Sequence, residues 1–383
     1  MTETLSPWAL PDPLPETPFY FYSQTRLQEL YTSFRIHAPR LKLHFAVKAN
    51  HNRDLLRFFI GRGDGLDLVS GGELERALDV GCDPQKMIFS GVGKSRKEIK
   101  RALEVGVGQI NIESTQEFEK IQDIAGSTQH RTKLGVRFNP NVDAKTHPYI
   151  STGLREHKFG VTDDEAFELF MRKSHLPWQS LSMHIGSQIL DLQCLEEAAD
   201  QAFQLGTRLK AKGVHLPILD IGGGLGVRYN LVDQTPSFAA FGDLVSKIEA
   251  SWTSLQGSRA EVHCELGRSL VAMAGLLVTR VLGTKAGETK HFAIVDASMT
   301  ELLRPALYQA EHPIEALRPS PKRRVFDVVG PVCESSDVLG TDIQLPADLK
   351  EGDIVIIHGC GAYGRSMSSE YNLRPLPPEI WGA

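Results

Sequence analysis

The chain has 383 residues, with 42 Lys and Arg against 47 Asp and Glu, and its formal charge of −5 gives no basic footprint for a nucleic acid. A content of 41% hydrophobic and 23% charged residues is that of a soluble globular protein long enough for about two domains, with a small molecule as the default partner. The start, with prolines at 7, 11, 13, 15 and 18, has neither basic nor apolar leader, and the longest helix-like apolar stretch, Leu270 to Val278, is half a membrane span.

From about residue 30 short apolar runs alternate with segments of helical period, the pattern of β/α units. Strands are predicted near Leu41–Val47, Gly65–Val69, Met87–Ser90, Gln109–Ile112, Lys133–Phe138, Ser180–His184, Pro217–Ile221 and Ala260–Cys264. Between them lie helices such as 192–212, where Leu192, Leu195, Ala198, Ala199, Ala202, Leu205 and Leu209 build one apolar face. Eight such strands predict a closed TIM-like (β/α)8 barrel over residues 30–268. Asn139–Gly160 is too polar and turn-rich for core and is read as a long loop. After residue 268, Val, Ile and Thr runs at Leu276–Leu282, His291–Val295, Arg324–Val329 and Asp353–His358 predict a β-domain, which residues 1–29 join. The five cysteines, Cys82, Cys194, Cys264, Cys333 and Cys360, include no CxxC pair, so neither a disulfide framework nor a metal site is expected, and a reducing cytoplasm is.

In such a barrel reactive residues gather at the C-terminal ends of the strands. Lys48 follows the first run, Asp67 lies in the second, Arg137 is near the end of the fifth and His184 ends the sixth. Gly222, Gly223 and Gly224 follow the seventh, and Glu265 the eighth. Taken singly, each is more often a polar residue leaving the core; the joint arrangement is what points to a site. A partly buried lysine amine is a nucleophile towards a carbonyl. The glycine run offers backbone N–H groups to a phosphate, whereas a dinucleotide fingerprint fails at Val227, where its third glycine belongs. Glu265 and Arg268 are either a helix-side ion pair or a carboxylate and a cation for a pyridine nitrogen and an anion. His184 is either a structural histidine or a ring that stacks on a flat ligand.

Motifs across nearly the whole chain resemble the fold type III pyridoxal-phosphate decarboxylases, most densely the diaminopimelate decarboxylases. These are FAVKAN (45–50), DLVSGGEL (67–74), THPYISTGLREHKFG (146–160), HIGSQ, DIGGGLG, ELGRS, LLRPALY (302–308), GPVCESSD (330–337) and GAYGRSMSSEYN (361–372). The resemblance implies an alanine-racemase-like barrel and decarboxylation of meso-2,6-diaminopimelate to L-lysine, with pyridoxal 5'-phosphate as cofactor. It implies that Lys48 carries the cofactor with Asp67 beside it and that His184 stacks on its ring. Ser187 and Gly222 to Gly224 would bind the phosphate, with Gly267 in the adjoining turn. Glu265 would face the ring nitrogen, and Arg268 would lie near phosphate and substrate. Arg304 and Tyr308 would hold the substrate's distal carboxylate and Glu334 its ammonium. Cys333 would donate a proton, and Tyr363 would lie beside cofactor and substrate. A homodimer with shared active sites follows, because Cys333 and Glu334 reach the partner's site in that family. Two departures stand out: Leu266 replaces the usual proline, and the sequence ends soon after RPLPPEIW, which bears on dimer packing. Competing readings are a decarboxylase of lysine, ornithine or arginine, against which Arg304 speaks, and a non-catalytic homologue, which would be expected to lack Lys48 or Cys333.

Overall fold

The computed structural model describes residues 8–126, 130–144, 152–153, 157–230 and 234–382. They form two compact units, one of Ser33–Val227 and Gln234–Ser269, the other of Met1–Thr32, Arg228–Asp233 and Leu270–Ala383.

The chain enters through strand β1 (Phe19–Ser23) and helix α1 (Gln24–His37). Eight strands then alternate with helices: β2 (Lys42–Ala46), α2 (Arg53–Ile60), β3 (Gly65–Leu68), α3 (Gly71–Asp79), β4 (Met87–Phe89), α4 (Arg96–Val105), β5 (Gln109–Ile112) and α5 (Thr115–Ala125), followed by β6 (Lys133–Arg137), α6 (Asp163–Met171), β7 (Trp178–Ser182), α7 (Gln193–Ala211), β8 (Ile218–Asp220), α8 (Phe238–Gln256) and β9 (Glu261–Cys264). β2 to β9 pair in parallel and in order, and β9 closes on β2, which makes the expected barrel.

Most of the strands alternate, β4 (MIF) being apolar throughout, and the alternation is inverted relative to an ordinary core. Leu43 and Phe45, Leu66 and Leu68, Ile110 and Ile112, and Leu134 and Val136 share the parity that faces the helices, where Phe45 stacks on Phe59 of α2 at 4.2 Å. The other parity carries His44, Asp67, Gln109, Asn111, Arg137, Ser182, Asp220 and His263 into the lumen. These polar groups are all buried, and they bond to one another within and between strands: Gln109 Nε2 donates to Asn111 Oδ1 on the same strand at 2.7 Å, and His44 Nε2 lies 3.0 Å from His263 Nδ1 across the β2–β9 pair. Lumens of this fold are usually filled by branched aliphatic residues, so here stability rests on the strand–helix layer.

The helices are fixed at their starts by side-chain caps. Ser95 with Glu98 and Thr162 with Glu165 form complete capping boxes on α4 and α6, and Ser70, Ser114 and Ser237 cap α3, α5 and α8. The strand ends fall within two residues of expectation. The largest shift is at β7, which runs from Trp178 to Ser182 and leaves His184 two residues beyond the strand. It starts early because Leu134 N bonds Pro177 O and a bulge at Leu134/Gly135 lets Trp178 pair.

The second unit follows the short helix α9 (Arg268–Val271). It holds β10 (Gly275–Ala286), β11 (His291–Val295), α10 (Arg304–Tyr308), β12 (Ile314–Ala316), β13 (Arg323–Val329), β14 (Val338–Pro346), β15 (Ile354–Ile357) and β16 (Glu379–Gly382). The sheet order is β12-β15-β10-β11-β13-β14, with β1 antiparallel to β10 and parallel to β16. Its core gathers Tyr20, Leu277, Val295, Phe326, Val328, Leu345 and Ile357. The four expected runs are strands; β1, β12, β14 and β16 were not read from the sequence. Among the described residues no helix is long and apolar enough to cross a membrane.

Candidate active site

Lys48 sits in a one-turn 3-10 helix, Val47–Ala49, at the C-terminal end of β2. Its Nζ is 2.8 Å from Oδ2 of Asp67, which is fully buried on β3, while the lysine side chain keeps 32% of its surface. Asp67 Oδ1 has no hydrogen-bond partner among the described residues. Glu73, at the start of α3, faces the same pair; it accepts from Val69 N at 2.7 Å, and burial pushes its carboxyl up to about 7. The site thus opens on an amine held by one carboxylate with a second carboxyl of raised pKa nearby.

Glu265 follows β9 and is buried. Burial first, then the charges of Asp67 and Asp220, hold its carboxyl well above the usual range. Asp220, the last residue of β8, is fully buried and is itself pushed up to about 6 by desolvation. A directed chain runs to Glu265: Asn111 Nδ2 donates to Ser90 Oγ at 3.1 Å, and Ser90 Oγ lies 3.5 Å from Glu265 Oε1. His184 Nδ1 is 4.0 Å from Glu265 Oε2 and accepts the Gly223 N–H at 3.0 Å. Its remaining nitrogen, Nε2, therefore carries the hydrogen, and burial, Arg137 and Lys48 hold the imidazole in its neutral form.

Arg268 and Ser187 come together: Arg268 Nη2 donates to Ser187 Oγ at 2.9 Å. The glycine run adjoins them, with a division of labour the sequence did not show. Gly222 N donates to Asp220 Oδ1 at 2.8 Å and Gly223 N to His184, so of the three only Gly224 N is without a protein acceptor among the described residues. This corrects the expectation that all three N–H groups are open to a phosphate. What Gly223 supplies is space, since a Cβ there would stand 2.1 Å from Glu265 O. Gly267 does the same on the other side, where a Cβ would stand 2.7 Å from Ala49 Cβ in the turn that carries Lys48. Leu266 between them is buried; its carbonyl accepts from Ala46 N at 3.1 Å, and its side chain lines a small apolar cavity with Ile221, Leu225 and Phe241. A leucine in place of proline therefore leaves Glu265 and Gly267 where the site needs them.

The other named residues belong to the second unit. Arg304, 4% exposed, opens α10 and Tyr308 closes it, half-buried. Cys333 is exposed with a free thiol, as are its neighbour Glu334 and the segment to Ser336. Glu334 accepts from Tyr371 OH at 2.7 Å, and Asp337 pins the turn by accepting from Val332 N at 2.8 Å and Met299 N at 2.6 Å. Tyr363 has a positive φ of 56° in the turn after β15. All five cysteines are free.

Sequence reading missed Glu73, Ser90, Glu113 and Asp220. Glu73 is disguised as the third residue of a Ser70 cap. Glu113, also buried, joins Arg137 Nη1 at 3.4 Å and accepts from Gly160 N at 3.2 Å, anchoring the end of the loop begun at Asn139. Most of that loop's motif, 146–151 and 154–156, lies outside the described residues. The signal available for the others was their inward parity on strands already located.

The model of the pyridoxal-dependent decarboxylases, pyridoxal binding domain, matches residues 24–272. Diaminopimelate decarboxylase of Helicobacter pylori is 42% identical over 372 residues, covering 95% of this chain and 90% of that protein. The Pseudomonas aeruginosa enzyme of the same name is 45% identical over 373 residues, covering 95% and 87%. The crystal structure of the Helicobacter pylori enzyme complexed with L-lysine superposes with a TM-score of 0.90 at 41% identity, covering 96% of this chain and 92% of that one. The donor set described above fits a pyridoxal phosphate: an amine for an aldehyde, a hydroxyl and guanidinium with a free Gly224 N–H for a phosphate, and a proton-retaining carboxyl for a ring nitrogen.

Proposed function

From the premise that this chain belongs to the pyridoxal-dependent decarboxylases, we infer that it converts meso-2,6-diaminopimelate to L-lysine and carbon dioxide. The observation that carries the reading is Lys48, an accessible amine held by a buried aspartate at the C-terminal end of a barrel strand, in a chain that matches diaminopimelate decarboxylases over nearly its whole length. Lys48 Nζ would hold the cofactor's aldehyde carbon, His184 its ring face, Glu265 its ring nitrogen, and Ser187, Gly224 and Arg268 its phosphate. Bound there, pyridoxal phosphate supplies the electron sink for the pair left behind by the departing carboxylate.

The side chains prepare that chemistry in separable ways. Asp67 orients Nζ through a 2.8 Å bond and leaves its other oxygen for a second donor. Glu265, with its raised proton affinity, holds a proton at the position of the ring nitrogen, so the ring stays electron-poor. His184 is kept neutral by burial and by the charges of Arg137 and Lys48, while the Gly223 bond fixes its tautomer, so it adds no opposing positive charge at the ring face. Arg304 and Tyr308 take the substrate's distal carboxylate and Glu334 its distal ammonium, while the exposed Cys333 thiol donates the proton that replaces the lost carboxylate. Tyr363 lies with cofactor and substrate. We also propose a homodimer in which Cys333 and Glu334 serve the partner's Lys48, and a cytoplasmic setting, which the five free cysteines suit.

The purified protein, supplied with pyridoxal phosphate, is to be assayed in parallel with meso-diaminopimelate, L-lysine and L-ornithine. Stoichiometric carbon dioxide and L-lysine from the first alone is the expected result; cadaverine or putrescine as the main product would overturn the substrate assignment.

A further inference from the structure

Arg304 is held in place by groups that the reaction itself does not use. Its Nη1 donates to His312 Nε2 at 2.7 Å, and both residues are 4% exposed. His312 directs its other nitrogen, Nδ1, to the carbonyl oxygen of His358 at 2.8 Å. A carbonyl only accepts, so Nδ1 carries the ring hydrogen and Nε2 presents a lone pair, the form that can receive an arginine N–H. The Tyr229 ring lies 4.4 Å below the guanidinium and meets the His312 ring edge to face at 5.1 Å. The support is rigid in turn. His358 N donates to Pro313 O at 2.9 Å, the residues that follow pair as β12 with β15, and His358 Nε2 is 2.8 Å from Glu315 Oε1.

A carboxylate in the place of His312 would also orient the arginine, but it would cancel the charge a bound carboxylate needs. A neutral imidazole fixes direction and leaves that charge in place. We propose that His312 is a positioning residue for substrate selection: it holds Arg304 in one orientation, so that the guanidinium fork is preset for the carboxylate of the substrate's distal amino-acid head. This rests on the reading of Arg304 given above. Without the histidine the side chain keeps its charge but loses the hydrogen bond that sets its direction, so more of its ordering falls to each ligand as it binds and the loss falls on ligands that carry that carboxylate.

The test compares L-lysine, which keeps the distal head of the substrate, with cadaverine, which is the same chain without a carboxylate, by calorimetric titration of the intact holoenzyme. His312→Ala is expected to weaken L-lysine by about tenfold or more while cadaverine changes less than about twofold, and to raise KM for meso-diaminopimelate more than it lowers kcat. His312→Gln, whose amide oxygen can replace the Nε2 lone pair, should recover most of the L-lysine affinity; unchanged cadaverine binding certifies the fold of each variant. Adding His312→Ala to Arg304→Met should cost nothing further, because the two act through one contact. If Arg304→Met lowers L-lysine affinity selectively and His312→Ala does not, or weakens both ligands equally, the role of His312 is refuted and that of Arg304 stands. If Arg304→Met itself spares L-lysine, both assignments fall.

Discussion

Glu265 is a carboxyl whose proton is held first by burial and then by the charges of Asp67 and Asp220. Glu265 and Asp220 are both buried, and Asp220 adds to the proton affinity of Glu265. Glu265→Gln keeps the shape but cannot accept a ring proton, so cofactor should remain bound while kcat for meso-diaminopimelate falls by about a hundredfold; unchanged turnover would remove Glu265 from that position. Asp220 gives a prediction for the cofactor-free protein. Its folded value of about 6 lies above an unfolded value near 4, so its contribution to stability is complete below about pH 4 and is lost as the pH rises to about 6. Asp220→Asn, which retains an oxygen for Gly222 N, should flatten that decline by up to about 3 kcal/mol in denaturant titrations at pH 4 and pH 7; equal slopes for the two proteins would show that Asp220 does not titrate there. Lys48, His184 and Glu265 draw notice in the sequence because they stand at or just past the ends of apolar runs. Asp220 and Glu73 do not, since one reads as a strand residue and the other as a helix cap.

The elements were legible to the degree that their pattern is local. Most of the eight barrel strands alternate with a two-residue period between turn signals, β4 (MIF) being apolar throughout, and each was placed within two residues. That the polar parity faces inward was not legible, because alternation says only that the two faces differ. The strands missed in the second unit have physical reasons. β1, FYFYS, is buried on every residue and shows no alternation, β14 is broken by Asp342 at φ 56° with register shifts beside it, and β12 and β16 have only 3 and 4 residues. The glycine turn after β8 is the element on which the site depends most. Gly223→Ala would push a methyl into Glu265 O, displacing the carboxylate side chain with its backbone. A loss of about 3 kcal/mol in stability and of tight pyridoxal phosphate binding is expected, measured by thermal melts with and without cofactor. A variant that melts and binds like the parent would mean the loop has room it is not shown to have.

At the scale of the whole molecule, the residues with proposed roles are divided between two compact units, and the dimer proposal assigns part of each site to a second chain. Co-expressed Lys48→Ala and Cys333→Ala chains, isolated as the mixed dimer by two different tags, should regain activity at one of two sites, about half that of the unmutated protein. A verified heterodimer with bound cofactor and no activity would confine each site to one chain. The texture of the sequence changes near residue 268, from β/α units to short Val, Ile and Thr runs, whereas pairing between chains leaves no periodic mark on one sequence. The central claim is that the Lys48 amine is where this protein holds pyridoxal phosphate for decarboxylation. Borohydride reduction of the cofactor-loaded protein, followed by peptide mass mapping, tests it directly. The expected result is a single reduced pyridoxyl adduct on Lys48, absent from Lys48→Ala, whose turnover of meso-diaminopimelate drops by at least about a thousandfold. An adduct on another lysine, or one that persists in Lys48→Ala along with activity, would contradict it.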